Sequence, residues 1–485
     1  MKRFKGILSW RHLRWVAMAA VVPALWACNA RKLAPPDGLP KQVVKNRFQQ
    51  SVNRDLDLLF LIDDSSSMAP LQMKMRQRLP EFMDVLKNLP GGLPNVHVAV
   101  VSSSLGAGVY GNVTGCTPGS SGNLDGNFQH KAGCGLNAGE TFIKSLPGAS
   151  AAQRSENFTG DIASVFACIA DLGQNGCGFE HQFESVRLAL QKTQVMGQEN
   201  YGFLRDSAYL AIIFLTNEDD CSVPADSTLL DPNQQTTADM LGGLQSYRCN
   251  EFGHKCDMAL PHMAPMGPQT MTGCVSAEDG KLVTVDGFVQ FLKSLKASQD
   301  QLLLAAIQGP TMPYVVESKS FMLGNGGTEN QPTIKHSCTS GSAGTEYADP
   351  GIRIKQALDP FGGVIESICA PDFKDSMVRI AEVIGAKLGG QCVPSNYATK
   401  MNGDPDCDVT QRAYSGTGVP MDTAVPFCGS GTVTPPCWKF MDTAMQGAQC
   451  PGQKVLSLCY DAACDPGVKP TTRTDALVSC AVNAQ

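Results

Sequence analysis

The sequence predicts a doubly wound α/β fold built on a mainly parallel central sheet. The first observation is that short apolar runs typical of buried strands alternate with segments of helical periodicity. The second is the composition, 43% hydrophobic and 17% charged over 485 residues, which is ample for a large core. Strands and helices that alternate in this way favour a parallel sheet with helices on both faces.

The elements follow in chain order. Strands are predicted at Leu58–Ile62, Val96–Val101, Tyr209–Thr216, Leu302–Gln308 and Val364–Cys369. Helices are predicted at 71–86, with a kink at Pro80, and at Asp161–Leu172, Glu180–Gln191, Val285–Leu295 and Phe373–Leu388. Asp372 is the expected N-cap of the last helix.

Long polar insertions rich in glycine and proline interrupt these elements at about 102–158, 221–283 and 310–350. Loops of this length are uncommon unless they are functional or disordered, and the cysteines within them suggest covalent pinning. After Gly390, eight cysteines are interleaved with short β-prone runs. This texture predicts a separate, disulfide-stapled β module over 391–485.

The N-terminal 27 residues have the layout of a secretory signal. Five basic residues in 1–14 precede an apolar run over 15–27. The run ends in Leu25-Trp26-Ala27-Cys28, which resembles the lipobox of bacterial lipoproteins and implies that Cys28 is lipid-modified. Asn29, by the same resemblance, favours the outer membrane. Because Trp26 is bulky for this motif, an ordinary cleaved signal or an uncleaved anchor remains an alternative. Residues 28–53 are predicted to be a polar tether of at most about 80 Å.

The cysteines are typical of an oxidised, exported protein. The chain has nineteen, so eighteen remain for disulfides if Cys28 is lipid-modified. Pairing between near neighbours is expected: Cys116–Cys134, Cys168–Cys177 and Cys221–Cys249. Metal binding around His254-Lys255-Cys256 is the alternative, but no CxxC pair or second histidine at ligand spacing accompanies it.

Several functional classes are excluded or disfavoured. The formal net charge of −6 does not favour nucleic acid as a partner. No P-loop, G-x-S-x-G or H-E-x-x-H motif is present, and the seven histidines are scattered without ligand spacing, so we do not expect an enzyme. His97 lies inside an apolar strand and is expected to be a core or edge residue.

A dense set of side-chain oxygens follows the first predicted strand, in the stretch LFLIDDSSSM. Asp63, Ser65 and Ser67 fit the pattern D-x-S-x-S, directly after the strand and before an amphipathic helix. Sheets of this class bind ligands at the carboxyl ends of their strands. A helix cap requires only one such side chain, so the excess indicates a bound ligand; the alternative is that Ser65 and Ser67 only cap the helix.

In this setting the chain resembles the von Willebrand factor type A domain, the integrin I-domain fold, over about residues 54–390. The metal-ion-dependent adhesion site of that family begins with the same motif. The resemblance implies a bound Mg²⁺, Mn²⁺ or Ca²⁺ and a partner that offers a carboxylate. Mg²⁺ favours about six hard oxygen ligands. Neutral serine ligands leave the ion much of its charge and an open position for the partner.

The chain departs from the family pattern at two expected ligands. Asn217 stands where the family has aspartate, and Glu180 aligns with the family's threonine when counted back from the following helix. The exchange leaves the net charge of the site unchanged. Glu218, Asp219 and Asp220 are alternative ligands, or they form a solvated acidic turn.

These inferences predict a cell-envelope lipoprotein that binds a protein or surface ligand through a divalent cation. The chain resembles the cysteine-rich type A domain lipoproteins of gliding bacteria. The alternative is a structural or assembly lipoprotein that holds other envelope proteins from the periplasmic side.

Overall fold

A computed structural model of the protein describes residues 42–46, 54–89, 92–113, 116, 125–147, 153–388, 392–394, 397–414, 420–429, 434–440, 453–464 and 474–482. The predicted signal peptide and Cys28 lie outside the described residues.

The described strands are β1 Gln42–Asn46, β2 Asp55–Ile62, β3 Asn95–Ser102, β4 Ile143–Pro147, β5 Arg154–Glu156, β6 Tyr209–Leu215, β7 His254–Lys255, β8 Gln269–Met271, β9 Val275–Ser276, β10 Leu302–Gln308, β11 Tyr314–Met322, β12 Thr328–Lys335, β13 Cys338–Ser340, β14 Glu346–Ala348, β15 Val364–Ser367, β16 Cys392–Pro394, β17 Cys407–Tyr414, β18 Pro420–Val425, β19 Cys437–Phe440, β20 Gln453–Cys459 and β21 Thr474–Val482. The described α-helices are α1 Ala69–Lys87, α2 Ile162–Ile169, α3 Gln182–Lys192, α4 Tyr247–Gly253, α5 Val285–Ser294, α6 Ile352–Leu358 and α7 Lys374–Leu388.

Seven strands form the central sheet, in the order β15-β10-β6-β2-β3-β4-β5. The five strands from β15 to β3 run parallel, whereas β4 and β5 add antiparallel at one edge. Every residue of β3, β6 and β10 is buried, as expected for strands covered on both faces. The predicted doubly wound, mainly parallel α/β class is therefore confirmed.

Two apolar cores separate the sheet from its helices. On one face, Leu58 and Phe60 of β2 pack with α1, α2 and α7. On the other face, Leu59 and Leu61 pack with α3, α5 and α6. Because successive side chains of a strand point to opposite faces, the unbroken apolar run of β2 supplies both cores.

The predicted elements hold with small changes at their ends. Helix α1 runs without interruption through Pro80. Asp372 Oδ1 accepts a hydrogen bond of 2.8 Å from the Lys374 amide, as expected for the cap of α7. Helix α3 begins at Gln182, so Glu180 lies in the loop before it.

The insertions contain regular structure that sequence periodicity did not indicate. The third one includes an antiparallel hairpin, β11 with β12, and the short pair β13 with β14. Strand β11 (YVVESKSFM) has a polar centre and β12 (TENQPTIK) is mostly polar, so neither carries the alternation of polar and apolar residues that marks a strand in sequence.

Disulfides pin the insertions, but two predicted pairings are wrong. The described disulfides are Cys116–Cys177, Cys134–Cys168, Cys221–Cys249, Cys256–Cys274, Cys338–Cys369, Cys407–Cys480, Cys428–Cys437 and Cys459–Cys464. Cys221–Cys249 is confirmed. The predicted pairs Cys116–Cys134 and Cys168–Cys177 do not form, because the first insertion folds back on the loop before α3. There Cys116 and Cys177 share an apolar cluster with Phe179.

The C-terminal region is rich in cysteine and β-structure, as predicted. One sheet has the order β1-β21-β17-β18 and another the order β16-β20-β19. Strand β1 lies inside the segment 28–53 that was predicted to be a tether, so Gln42–Asn46 belong to a sheet in which they pair with β21.

Among the described residues, no helix combines the length and the apolar character needed to cross a membrane.

Candidate metal centre

The candidate site lies where β2 and β6 end side by side. The two strands are parallel neighbours, and Ile62 is paired with Leu215. The amide of Asp63 donates a hydrogen bond of 2.9 Å to the Leu215 carbonyl. The loop after β2 and the loop after β6 therefore leave the sheet together and enclose a crevice at its carboxyl edge.

Asp63 is held in one orientation by its own loop and by the neighbouring one. Its Oδ1 atom accepts a hydrogen bond of 2.8 Å from the Ser65 amide, and its Oδ2 atom accepts one of 2.9 Å from the Thr216 hydroxyl. Gln72 of α1 donates to the Asp63 carbonyl at 2.8 Å. The carboxylate is fully buried, so it is fixed before any ligand binds.

Ser65, Ser67 and Asn217 come together beside Asp63. The two serine hydroxyl oxygens are 3.3 Å apart, and both atoms of the Asn217 amide group lie within 3.2 Å of Ser67 Oγ. Neither serine caps a helix: Ser65 makes no capping hydrogen bond to the 3₁₀ turn Ser66–Met68, and Met68 precedes α1. The capping alternative is therefore wrong.

Asp64, between the motif's ligand positions, has a structural role that the sequence did not indicate. Its Oδ1 atom accepts hydrogen bonds from the hydroxyls of Ser102, at 2.7 Å, and Ser104, at 2.9 Å. Both serines lie at or just beyond the end of β3. Asp64 therefore ties the loop after β2 to the loop after β3.

Glu180 reaches the same region from the loop before α3. Only 1% of the residue is exposed, and the carboxyl groups of Glu218 and Asp63 lie close enough to raise its pKa. The Oε1 atom of Glu180 has no hydrogen-bond partner among the described residues. The structure thus places Glu180 near Asp63, but its closest described partner is another acid rather than Ser67.

Asp219 and Asp220 are neither solvated nor directed at the crevice. Asp219 Oδ2 accepts hydrogen bonds from the Ile352 amide at 2.8 Å, at the start of α6, and from His254 Nε2 at 2.8 Å. Asp220 accepts from the Phe183 amide, in the first turn of α3, at 2.9 Å, and pairs with Arg353 at 3.0 Å. Both are buried structural caps, so the solvated-turn interpretation is wrong for them.

Burial without a cation perturbs the acids of the crevice. Burial raises the pKa of Asp63 to about 6, against the opposing hydrogen bonds from Ser65 and Thr216. Burial, Asp349 and Asp63 raise the pKa of Glu218 to about 8. The pKa of Glu180 is raised well above its ordinary value by burial, Glu218 and Asp63. Among the described residues, no lysine or arginine forms an ion pair with any of the three.

The third insertion covers one side of the crevice. Asn217 Nδ2 donates a hydrogen bond of 3.0 Å to the Tyr347 carbonyl in β14, and the Asp349 amide donates one of 2.8 Å to the Asn217 carbonyl. The ring of Tyr347 stacks on that of His336, with centroids 3.9 Å apart. Sequence reasoning missed this wall, because the stretch GTEYADP carries no recognised motif.

Two histidines named from the sequence are structural. His97 is buried, and its Nδ1 atom lies 2.8 Å from the Phe203 carbonyl oxygen. Burial lowers its pKa to about 4. His254 is bonded to Asp219, and Cys256 forms a disulfide with Cys274, so the metal alternative around His254-Lys255-Cys256 is wrong.

The fold and the crevice define an α/β domain with a binding site lined by hard oxygen atoms. No protein-family model and no curated protein matches the chain. Among solved structures, a von Willebrand factor type A protein from Catenulispora acidiphila is similar with a TM-score of 0.28 and 10% identity, covering 94% of this chain and 68% of that one.

The human COPII-coat protein Sec24c is similar with a TM-score of 0.26 and 8% identity. That match covers 88% of this chain and 39% of Sec24c.

Proposed function

We propose that this protein is a cell-envelope lipoprotein that attaches to a partner through a divalent cation. The ion would lie in the crevice at the ends of β2 and β6, and Asp63, Ser65, Ser67 and Asn217 would hold it, with Glu180 as a further ligand. The partner would be a protein or an external surface that offers a carboxylate. Acylated Cys28 would anchor the chain in the outer membrane.

The observation that carries this proposal is the convergence of Asp63, Ser65, Ser67 and Asn217. All four present oxygen atoms, the donor type that Mg²⁺, Mn²⁺ and Ca²⁺ favour. The serine hydroxyls are 3.3 Å apart and the amide group of Asn217 lies within 3.2 Å of one of them. Within the part of the chain that the structure describes, no lysine or arginine pairs with the buried Asp63 carboxylate, whose pKa is raised, so a cation would compensate its charge well.

Each residue has a distinct part in the proposed binding. Asp63 supplies the formal charge, and its bonds to the Ser65 amide and Thr216 hydroxyl hold it in place. Ser65 and Ser67 supply neutral oxygens. Asn217 supplies an amide oxygen from the second loop. A bound Mg²⁺ would supply a Lewis-acidic position that an external carboxylate completes.

The proposal is tested by the attachment of protein-coated beads to carboxylate-terminated and hydroxyl-terminated surfaces. We expect attachment to the carboxylate surface only, in Mg²⁺ or Mn²⁺, with loss in EDTA and in Asp63→Ala. Asp84→Ala, at an exposed position of α1, is the matched control and should attach like the parent. Equal attachment in EDTA would contradict cation dependence.

Surface labelling of intact cells separates the two envelope roles. An outward-facing adhesin should react with a reagent that cannot cross the outer membrane. Protection from that reagent would favour the structural lipoprotein on the periplasmic side instead.

A further inference from the structure

A second small cavity adjoins the crevice on the side of Glu180 and Glu218. Its walls include these two acids, Ser246, Asn250 and Asp349. Ser246 and Asn250 come from the second insertion and Asp349 from the third. Asp63, Ser65 and Ser67 are not among the residues that line it. The insertions have therefore built an additional acidic chamber beside the proposed adhesion site.

The Glu180 carboxyl group has one buried oxygen atom that receives no hydrogen bond in this chamber. Only 1% of the surface of Glu180 is exposed. Its Oε1 atom has no hydrogen-bond partner among the described residues. Glu218 lines the same cavity, so the two carboxyl groups are neighbours. A buried carboxyl oxygen without a donor is unfavourable, because it has lost its hydrogen bonds to water and gained none from the protein.

Ser246 adds a side-chain hydroxyl group to the chamber. It precedes α4, yet its side chain makes no capping hydrogen bond to that helix. Ser246 lines the cavity together with Glu218, and its hydroxyl lowers the pKa of that acid. Two carboxyl groups and a hydroxyl from three different segments thus meet in one chamber.

The other charges around the chamber are already satisfied, so they do not balance the two glutamates. His254 uses both ring nitrogens, with Asp219 at 2.8 Å and the Asn250 carbonyl at 3.1 Å. Asp349 is paired with His336 at 2.7 Å. Among the residues that line the chamber, none is a lysine or arginine.

We propose that this chamber binds a second divalent cation, with Glu218 and the Ser246 hydroxyl as its own ligands and Glu180 as a ligand that it shares with the ion at Asp63 when both are bound. Ca²⁺ is the favoured ion, because it accepts several carboxylate and neutral oxygens in flexible geometry. This inference goes beyond the proposed adhesion site and does not require an ion at Asp63. The second ion joins the loop before α3 to the second insertion through Glu180 and Ser246.

The test is the number of ions bound per chain, measured by calorimetry with Ca²⁺ and with Mn²⁺ on the metal-free, disulfide-intact chain. The parent should bind two ions. Glu218→Gln and Ser246→Ala should each lose or weaken the ion in the chamber and leave the ion at Asp63 unchanged. Asp63→Ala should lose the ion at Asp63 and leave the ion in the chamber unchanged. Glu317→Gln on β11, outside the chamber, is the matched control and should bind two ions.

The outcomes separate this inference from the proposed function. One ion that Asp63→Ala abolishes and Glu218→Gln leaves intact would overturn the second site and support the first. One ion with the reverse response would overturn the adhesion site and support the second. No bound ion would overturn both. Far-UV circular dichroism shows whether each variant is folded, and Ser246→Ala tests the chamber if Glu218→Gln is not.

Discussion

The buried carboxylate of Asp63 should destabilise the metal-free protein, and Asp63→Asn should remove that cost. Burial raises its pKa from an ordinary 3.8 to about 6. Because the folded state then binds the proton more tightly than the unfolded state, the contribution of Asp63 is favourable at low pH and is lost as the pH rises from about 4 to about 6. At pH 7 the ionised group costs about 3 kcal/mol of folding free energy.

Asparagine has nearly the same shape as aspartate and carries no charge. Its amide oxygen can still accept from the Ser65 amide, and its amide nitrogen can donate to Thr216 Oγ1 once the Thr216 proton turns to the Glu218 carbonyl, 3.0 Å away, so each group keeps a partner. In EDTA at pH 7, Asp63→Asn should therefore be more stable than the parent by about 2–3 kcal/mol. At pH 4 the difference should fall below about 1 kcal/mol, because the parent is then largely protonated.

The assay is urea unfolding followed by far-UV circular dichroism, in EDTA at pH 7 and at pH 4. Asp84→Asn, at an exposed position of α1, is the control and should show little change at either pH. An Asp63→Asn chain that is no more stable than the parent at pH 7, or whose advantage is the same at both pH values, would refute the reasoning. Saturating Mg²⁺ should stabilise the parent more than the variant.

Three further predictions concern the lipid anchor, one disulfide, and the two proposed metal ligands Glu180 and Asn217. Cys28→Ser should move the protein from the detergent phase to the aqueous phase in phase partitioning, or leave its precursor uncleaved; unchanged partitioning would argue against acylation. Replacing Cys116 and Cys177 by serine should lower the free energy of unfolding by about 4 kcal/mol, because their disulfide closes a loop with a sequence separation of 61. A change near zero in urea unfolding would contradict this. Glu180→Gln should raise the Kd of the ion that depends on Asp63 more than Asn217→Ala does, because only Glu180 can carry a charge. Calorimetry that shows the reverse order would make Asn217 the more important ligand of the two.

The five parallel strands of the central sheet could be predicted because each carries a local signal, whereas β4 and β5 lie inside the stretch 102–158 that was predicted to be an insertion. The runs Leu58–Ile62 of β2, Tyr209–Leu215 of β6 and Leu302–Ile307 of β10 are apolar, as parallel strands buried on both faces require. The placement of Asp63, Ser65 and Ser67 also followed from local order, because a motif directly after such a strand must lie at the carboxyl edge of the sheet.

Contacts between distant segments could not be predicted in the same way. Cys116 pairs with Cys177 rather than Cys134 because the first insertion folds back on the loop before α3, a property of its path in space. The roles of Asp219 and Asp220 depend on the N-terminal turns of α6 and α3, which lie about 130 and 35 residues away in sequence. An acidic run in one loop does not reveal which helices will pack against it.

The measurement that tests the account most directly is Mn²⁺ binding by calorimetry to the parent and to Asp63→Ala. Ser65→Ala and Ser67→Ala serve as graded comparisons and should weaken binding less, because each removes one neutral ligand that water can partly replace. The account predicts that Asp63→Ala binds one ion fewer per chain than the parent while its circular dichroism spectrum is unchanged. A folded Asp63→Ala chain that binds as many ions as the parent, with the same affinity, would contradict the proposed metal centre.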